Sequence, residues 1–487
     1  MSEFLLTLVF SAVVGLAVFV VVYCIVKSSR TVASKNSNKA NKTIPGWDQK
    51  PANPGMGDLV EVHKHGSLHE YLLHLHKNGH QPIAAFWWGQ QRVVSICSPE
   101  LIKDTVKLIN KPKELMTLFE PVTGPETIGY ANGEEWEERR KWVYDPLKGM
   151  PLLSYMPTFV EIANETVSTW SQRLGDDNIV DLEEEFLTMT LKGITRTCYG
   201  SMFSDEEEVR KMSSVYHKMW NEMEQILRIG PPTPGSDREK MFKGYSQQLR
   251  DVIQEVVRKR QSGEEQESVP FMDSLLQSGV PDEQIIADGI TFLVGGLHTV
   301  AYLLYWTVHY LMLNKDIYHK LIAEMKEQVG ADREDKLKQY VSDQNTLLRQ
   351  VLNEVLRLTT LITYAIRYSD DDMDIDHYHI PAGTSIIIAM GVSHKNETVW
   401  KHVEQFDHTQ CSQLQGKDTL AFAPFGHGRR RCPGYHFAHT EVSVFLTILL
   451  QQFTIKPVGE AKDVEKIHGL VTTPKKPLKC QVFVIND

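Results

Sequence analysis

One glycine-rich stretch near the carboxyl end, residues 421–438 (AFAPFGHGRRRCPGYHFA), constrains the fold of this chain more than any other. Gly426 and Gly428 allow the backbone to turn tightly and to approach a flat ligand without side chains in the way. Three arginines stand directly before Cys432, and Pro433 suits the first turn of a helix because its missing N–H would be unpaired there. Positive charge and a helix N-terminus both lower the pKa of a thiol, so we expect Cys432 to be a thiolate.

A thiolate on such a loop, followed by an apolar helix predicted over residues 435–451, is what a haem iron needs as an electron-donating axial ligand. Residues 425–434 carry the spacing F-x-x-G-x-R-x-C-x-G, which resembles the haem-binding signature of the cytochromes P-450 at every fixed position. The resemblance implies a mainly α fold with a small β region, the cytochrome P-450 fold. It also implies haem b as the cofactor, Cys432 as the ligand of its iron, and Phe425 and Arg430 as parts of the binding site.

The composition argues against several other classes of protein. With 487 residues, 42% of them hydrophobic, the chain can bury a substantial core, although length alone does not fix the number of domains. The net charge of −10 argues against nucleic acid as a partner. The six cysteines include no C-x-x-C pair, which argues against a disulfide framework or a zinc site and fits a reducing compartment.

The amino-terminal residues predict one transmembrane helix. Residues 4–26 carry no charge and, as a helix, would be about 35 Å long, enough to cross a hydrocarbon core of about 30 Å. Basic residues follow with no acid before Asp48, which by the positive-inside rule keeps the rest of the chain cytosolic. We therefore expect an anchor over residues 1–27, a basic and proline-rich linker over residues 28–56, and a catalytic domain over residues 57–487. The linker resembles the hinge of microsomal family members, which implies a single-pass protein of the endoplasmic reticulum membrane.

Two further segments match the cofactor-binding pattern of the family. Residues 133–141 predict a helix that carries Trp136 and Arg140 on one face, because they are four residues apart. By resemblance, this pair reaches a haem propionate. Arg367, which follows an apolar run, matches a second propionate-binding arginine, and Arg430 is expected to join them.

The longest helical pattern, residues 282–313, is apolar almost all round and should be buried. Gly295 and Gly296 cost stability inside a helix, and a flat cofactor lying against them would explain their presence. The segment resembles the Ala/Gly-Gly-x-Asp/Glu-Thr motif of the family, which implies that Thr299 hydrogen-bonds the bound oxygen and helps to deliver protons. His298 stands where an acid is usual. We expect it to face away from Thr299, either as a hydrogen-bonded helix residue or as a proton relay.

A Glu-x-x-Arg pattern occurs at Glu354 and Arg357, on one face of a helix predicted over residues 345–358. In the family this pattern is a buried ion pair that braces the fold behind the haem. Gln410 stands where a third member, an arginine, is usual. The departure could affect stability or haem retention, or another arginine could substitute.

Four histidines lie close together early in the chain, and their number suggests metal ligands although their spacing does not; they are His69, His74, His76 and His80. The pair His69-Glu70 opens like a zincin motif, but Leu73 stands where that motif requires its second histidine. We therefore expect solvated helix histidines. The acidic run over residues 370–376 lacks the glycine and the glutamate of a calcium loop, so its acids should also be solvated.

The surrounding stretch, residues 66–95, is most similar to the family-twenty branch of the animal cytochromes P-450. The resemblance implies a haem-thiolate monooxygenase that inserts one oxygen atom from O₂ into an apolar small molecule such as a lipid, a sterol or a xenobiotic. The chain carries no flavin or nucleotide motif, so electrons should come from an NADPH-dependent flavin reductase, with a small haem protein as a further candidate donor. Two alternatives stay open: a haem-thiolate isomerase or peroxide-using enzyme, and a non-catalytic haem-binding protein.

Overall fold

The structure is a computed structural model that describes residues 42–173, 178–265, 267–330, 333–459 and 464–485. Most of these residues belong to one large compact unit, which starts at Ile44. Of a second unit, only residues 42–43 and 377–379 are described. The segment predicted to be a membrane anchor, residues 4–26, lies outside the described residues.

The described chain is mainly α-helical with short strands. The helices are α1 Leu59–Lys64, α2 Leu68–Leu75, α3 Pro99–Thr105, α4 Glu120–Thr123, α5 Gly133–Tyr144, α6 Gly149–Ser154, α7 Met156–Arg173, α8 Leu182–Tyr199, α9 Glu206–Ile229, α10 Asp237–Gln261, α11 Pro270–Gln277, α12 Asp282–Leu313, α13 Lys315–Gln328, α14 Arg333–Ser342, α15 Leu347–Thr359, α16 Met390–Ser393, α17 Gln410–Gln413 and α18 Tyr435–Gln452. The strands are β1 Ile83–Trp88, β2 Gln91–Ile96, β3 Ile179–Asp181, β4 Ala365–Tyr368, β5 Met373–Ile375, β6 Tyr378–Ile380, β7 Ser385–Ile388, β8 Phe453–Pro457, β9 Lys466–His468, β10 Thr472–Pro474 and β11 Lys479–Val484.

Side-chain caps fix where several helices begin. Ser67, Asp181 and Ser236 each accept a hydrogen bond from a backbone N–H in the first turn of α2, α8 and α10. Such a cap satisfies one of the N–H groups that the first turn of a helix leaves unpaired.

Helix α12 is the centre of the main core, and it has the bounds that its apolar pattern predicts. It packs against α8, α10 and α15, and most of its side chains are buried. Among the described residues it is the one helix long and apolar enough to cross a membrane. Because 72% of its most apolar window is buried inside the protein, α12 has the environment of a core helix.

The strands form small sheets beside the helices. One sheet has the order β1-β2-β7-β4, in which β2 and β7 are parallel and the other pairs are antiparallel. A second sheet has the order β3-β11-β8, and β9 pairs with β10 as a hairpin in which His468 lies opposite Thr472. A separate small core fills the space between α2 and the four-stranded sheet, with Leu72, Phe86 and Ile387 among its members.

The predicted Glu-x-x-Arg pair is a fully buried ion pair. Arg357 donates from Nε and Nη2 to the two carboxylate oxygens of Glu354, at 2.9 and 2.7 Å. Its Nη1 also donates to the backbone carbonyls of His394 and Val403, at 3.1 and 2.8 Å. The guanidinium therefore ties α15 to the chain segment that precedes α17.

Gln410 lies beside this pair. Its Nε2 is 3.5 Å from Oε1 of Glu354, and its Oε1 accepts the backbone N–H groups of Lys401 and His402. The backbone N–H of Asp407 also donates to Glu354, at 3.0 Å. Within the described part of the chain no second arginine reaches Glu354, so an amide and a backbone N–H take the place of the usual third member.

The prediction of solvated histidines is wrong for His69 and His76, which are 2% and 0% exposed. The fold buries His69 against Gly391 of α16 and His76 against Ser95 of β2, contacts that the helix pattern alone did not reveal. His76 is fully paired, because its two ring nitrogens lie 2.6 Å from the carbonyl of Gln81 and 2.8 Å from Oγ of Ser95. His74 and His80 are exposed, as expected.

Candidate active site

The loop before α18 is held in shape by a glycine and by one backbone hydrogen bond. Gly428 has φ of +65°, and a side chain there would collide with the carbonyl of Val106. The N–H of Cys432 donates to the carbonyl of Phe425 at 2.9 Å, which closes the turn. The ring of Phe425 meets that of Tyr435 edge-on, with centroids 4.9 Å apart. The loop thus presents Cys432, half-buried, just ahead of the first turn of α18.

The surroundings of Cys432 do not make it a thiolate on their own. Burial raises the pKa of its thiol, and this effect outweighs the opposing effects of the Gly434 N–H and of the charges on Arg140 and Arg431. The expectation of a lowered pKa is therefore wrong in sign, because the sequence shows the nearby charges but not the desolvation. A coordinating metal ion deprotonates a thiol outright, so an iron ligand at this position would owe its thiolate state to the metal.

Four cationic side chains gather beside this loop without any carboxylate partner among the described residues; they are Lys111, Arg140, Arg367 and Arg430. Arg367, on β4, is 4% exposed and donates to the carbonyl of Ile366 at 2.7 Å. Burial lowers the pKa of Arg367 to about 10. Burial and the repulsion of Arg430 and Arg367 also hold the pKa of Lys111 well below its usual range. Buried cations in this state indicate a site for an anionic ligand.

Trp136 and Arg140 lie on the predicted face of α5. The guanidinium of Arg430 packs over the ring of Trp136 at 4.6 Å, and that of Arg140 lies 5.8 Å from the same ring. Arg140 donates to the carbonyl of Arg431 at 2.5 Å. The structure therefore brings α5 and the cysteine loop together, as expected.

Arg430 donates hydrogen bonds to four backbone carbonyls, which the sequence does not indicate. Its Nη1 donates to the carbonyls of Ile109 and Ala131, at 3.0 and 2.9 Å. Its Nη2 donates to those of Ile128 and Gly129, at 3.3 and 3.1 Å. Arg430 thus fastens the cysteine loop to the segment before α5, and it retains its positive charge for a nearby anion.

One window on α12 is open although the helix is otherwise buried. Gly295 is exposed, and no atom lies within 4 Å of the place where a side chain on it would begin. One turn later, Thr299 is half-buried and its Oγ1 donates to the carbonyl of Gly295 at 2.6 Å. The two residues therefore border an open part of the α12 surface, against which a flat ligand can lie.

His298 faces a different group of side chains. Its ring stacks on Trp220 of α9, with centroids 3.8 Å apart and an angle of 9° between the planes. Its Nδ1 lies 3.2 Å from the hydroxyl of Tyr216. Burial holds the pKa of His298 well below its usual range, so the ring is neutral at pH 7.

Two participants in this region were missed at the level of sequence. Lys111 lies in a loop, where no periodic pattern marks it. Arg139 forms a buried ion pair with Asp288, Nη2 to Oδ2 at 2.9 Å, and Asp288 also accepts the N–H of Ile128 at 2.6 Å. An acid inside the otherwise apolar pattern of α12 was the available signal for this pair, which joins α5 to α12.

The model of one protein family, Cytochrome P450, matches residues 48–482. The chain belongs to the cytochrome P450 family. It is similar to Cytochrome P450 20A1 of Mus musculus, with 24% identity over 460 residues, and to that of Bos taurus, with 25% identity over 462 residues. Both alignments cover 94% of this chain and 97% of the relative. The solved heme domain of cytochrome P450DA has a TM-score of 0.77 at 18% identity, covering 91% of this chain and 98% of that one.

These comparisons confirm the predicted fold, the family and the likeness to the family-twenty branch. The chain is accordingly a haem-thiolate monooxygenase, and its cofactor is haem b held through a cysteine thiolate. The residues present fit that cofactor in two ways. The cations without carboxylates suit its anionic propionates, and the open space over Gly295 suits a flat ring.

Proposed function

We propose that this cytochrome P450 oxygenates an apolar small molecule at the window on α12, with Cys432 as the ligand of the haem iron. The observation that supports the site is the group of cations beside the cysteine loop, of which Arg367 and Arg430 are buried and Lys111 and Arg140 are half-buried. None of the four pairs with a carboxylate among the described residues. Lys111, Arg140 and Arg367 are proposed to bind the propionates, with Trp136 packed beside them. Arg430 adds positive charge and holds the loop.

The apolar nature of the substrate is inferred from the helix that borders the window. Beyond Asp288, α12 carries no acid, lysine or arginine as far as Leu313. A substrate lying against this stretch has no charged partner on the helix, and burial of apolar surface would supply most of its binding. A lipid, a sterol or a xenobiotic fits this description.

When bound, the haem supplies the redox chemistry that introduces one atom of O₂ into the substrate, and the cysteine sulfur donates the electron density that favours O–O cleavage. The part of the chain in this reaction is to hold and move protons. Thr299 carries a hydroxyl proton at Oγ1, half-exposed at the window and donated to the carbonyl of Gly295. Because that carbonyl is also a backbone acceptor of the helix, the hydroxyl can rotate to another acceptor without moving α12.

His298 is the second residue of the predicted catalytic pair. A proton relay must gain and lose charge near neutral pH, and burial in a stack with Trp220 and Tyr216 disfavours the charged ring. We therefore propose that Thr299 is the catalytic residue of α12. His298 is proposed as a positioning residue that fixes α9 against α12.

The organisation of the whole chain is also a proposal. We place an anchor at residues 1–27, a linker at residues 28–56 and the catalytic domain at residues 57–487, in the endoplasmic reticulum membrane with the catalytic domain cytosolic. The uncharged run over residues 4–26 and the basic residues after it support this arrangement. Electrons are proposed to come from an NADPH-dependent flavin reductase, with a small haem protein as a second donor.

The test uses the full-length, haem-loaded chain with purified reductase. Apolar lipids, sterols and xenobiotics are screened by the shift of the haem spectrum, and each hit is assayed for NADPH use, product and peroxide. Thr299→Ala should raise the ratio of peroxide to product severalfold, because loss of the hydroxyl slows the delivery of protons that leads to product. His298→Phe keeps an aromatic ring against Trp220 and should leave that ratio near the wild-type value.

Two results would contradict the proposal. Turnover that peroxide supports, but that NADPH and reductase never support, would rule out the proposed electron source. A peroxide ratio that rises in His298→Phe as much as in Thr299→Ala would make the histidine a proton relay.

A further inference from the structure

A second cluster of metal-ligating side chains lies where α2 meets the β9–β10 hairpin. His69 and Glu70 on α2, together with His468 at the end of β9, each place one ligand atom within 4.8 Å of the others. The rings of His69 and His468 have their centroids 4.2 Å apart. Nε2 of His468 lies 3.7 Å from Oε1 of Glu70. The pair His69-Glu70, which lacks the second histidine of a zincin motif, thus gains a third ligand, His468, from the far end of the chain.

The ring of His69 is buried and lacks a hydrogen bond to any of the described residues. It is 2% exposed, and neither ring nitrogen has a hydrogen-bond partner among the described residues. A side chain at Gly391 would collide with this ring, so a glycine on α16 makes room for it. Buried polar groups in native proteins nearly always have partners, and a ring in this state indicates a ligand that completes the site.

The protonation of His468 is fixed by its neighbours. The hydroxyl of Thr472 donates its one proton to the carbonyl of Thr360 at 2.9 Å. Its oxygen must therefore accept from Nδ1 of His468, which lies 2.9 Å away. The ring proton is on Nδ1, and Nε2 directs a lone pair towards the carboxylate of Glu70.

We propose that His69, Glu70 and His468 bind one divalent transition-metal cation of the zinc class. Two imidazoles and one carboxylate are a ligand set that suits such a cation, whereas calcium and magnesium prefer oxygen ligands throughout. A cation would lie between the lone pair on Nε2 of His468 and the carboxylate of Glu70. It would also give the ring of His69 a partner. Thr472 is the outer-shell group that orients the histidine, an arrangement usual for metal-bound imidazole.

The charges around the cluster are compatible with a cation. Lys395 lies nearby, and Glu404 pairs with it at 3.1 Å. Nζ of the neighbouring Lys466 donates to the carbonyl of Leu358 at 2.9 Å. The side chain of Glu70 is 48% exposed and lines an open cleft of about 550 Å³, which gives a cation a path from solvent.

Binding would fasten a hairpin that already contacts the substrate-side helices. The N–H of Leu470, at its turn, donates to Glu224 of α9 at 3.1 Å. Nε1 of Trp306 on α12 donates to the carbonyl of Thr472 at 3.0 Å. A cation at His468 therefore ties α2 to the hairpin and, through it, to α9 and α12. The site is independent of the haem and of the proposed function.

The experiment measures zinc binding by the full-length, haem-loaded enzyme. The protein is freed of adventitious metal with a chelator and then dialysed against Zn²⁺, and bound zinc is counted per chain. We expect one zinc per wild-type chain. His468→Ala and Glu70→Gln should each weaken binding by at least about 10-fold, since loss of even an outer-shell partner costs about 10–100-fold. Thr472→Val should weaken it within that range.

Matched controls come from the same part of the chain. His74→Ala removes an exposed histidine from α2, and Glu61→Gln removes a carboxylate from α1, so both should bind zinc as the wild type does. An unchanged haem spectrum shows that each variant is folded. X-ray absorption at the zinc edge should report two nitrogen ligands and a carboxylate oxygen at about 2.0–2.2 Å.

The proposal is overturned by either of two outcomes. One is a wild-type chain that binds no stoichiometric zinc. The other is a folded His468→Ala or Glu70→Gln variant that binds zinc as tightly as the wild type.

Discussion

Two buried arginines, Arg357 and Arg367, show how the same residue type serves two purposes in this cytochrome P450. Both are almost fully buried, at 1% and 4% exposed. Arg357 has both oxygens of Glu354 and several backbone carbonyls as partners. Arg367 has the carbonyl of Ile366 and no carboxylate in the described part of the chain.

The difference separates a brace from a binding site. A buried charge is tolerated when it is paired and hydrogen-bonded, which is the condition of Arg357. The cations around Arg367 instead repel one another, and burial lowers the pKa of Arg430 to about 9. A protein keeps such a cluster where a ligand brings the missing negative charge, and we propose that the haem propionates do so here.

The largest effect is expected at the brace. Arg357→Met leaves the carboxylate of Glu354 buried without its cation, which should cost about 3–5 kcal/mol of unfolding free energy. Denaturant unfolding and the yield of haem-loaded protein measure the loss. Arg258→Met is the control, because it breaks exposed pairs with Glu255 and Glu264 that should contribute far less to stability. Equal losses in the two variants would remove the distinction between buried and exposed pairs.

A buried glutamate extends the comparison of buried charged groups to the pH dependence of stability. Glu441 on α18 is 1% exposed, its Oε1 has no partner among the described residues, and burial raises its pKa well above the usual range. The folded state therefore keeps a proton that the unfolded state releases above about pH 4.3, and stability falls with rising pH by at most about 1.4 kcal/mol per unit.

Glu441→Gln removes this titration. The variant should match the wild type near pH 4 and become relatively more stable as the pH rises through 5 and 6. Unfolding curves at several pH values check the trend. A constant difference between the two proteins across that range would show that folding does not shift the pKa of Glu441.

Arg367→Met should have a smaller effect than Arg357→Met, and on a different quantity: it should weaken haem binding and leave the stability of the haem-free protein intact. Arg367→Met removes an uncompensated buried cation, so the haem-free protein should be at least as stable as the wild type. Haem affinity should instead fall about 10-fold, equivalent to about 1.4 kcal/mol. Haem transfer to an acceptor protein and unfolding of the haem-free chain measure the two quantities. A large loss of stability in the haem-free Arg367→Met variant would show that Arg367, like Arg357, braces the fold.

Features that depend on neighbours in sequence could be predicted, and those that depend on tertiary contacts could not. The bounds of α12 followed from its apolar pattern, and the loop at Cys432 followed from its glycines and arginines. The direction of the pKa shift at Cys432 was missed, because desolvation is a property of the packed fold. The meeting of His69 with His468 was missed for the same reason, since the two lie at opposite ends of the sequence.

The carbon monoxide spectrum of the reduced protein reports whether Cys432 is the proposed thiolate ligand of the haem. The wild type and Cys97→Ala, which removes a thiol from the small core, should both show the Soret band typical of thiolate haem. Cys432→Ala should lack that band, whether or not it retains haem. A thiolate-type band in Cys432→Ala would contradict the account.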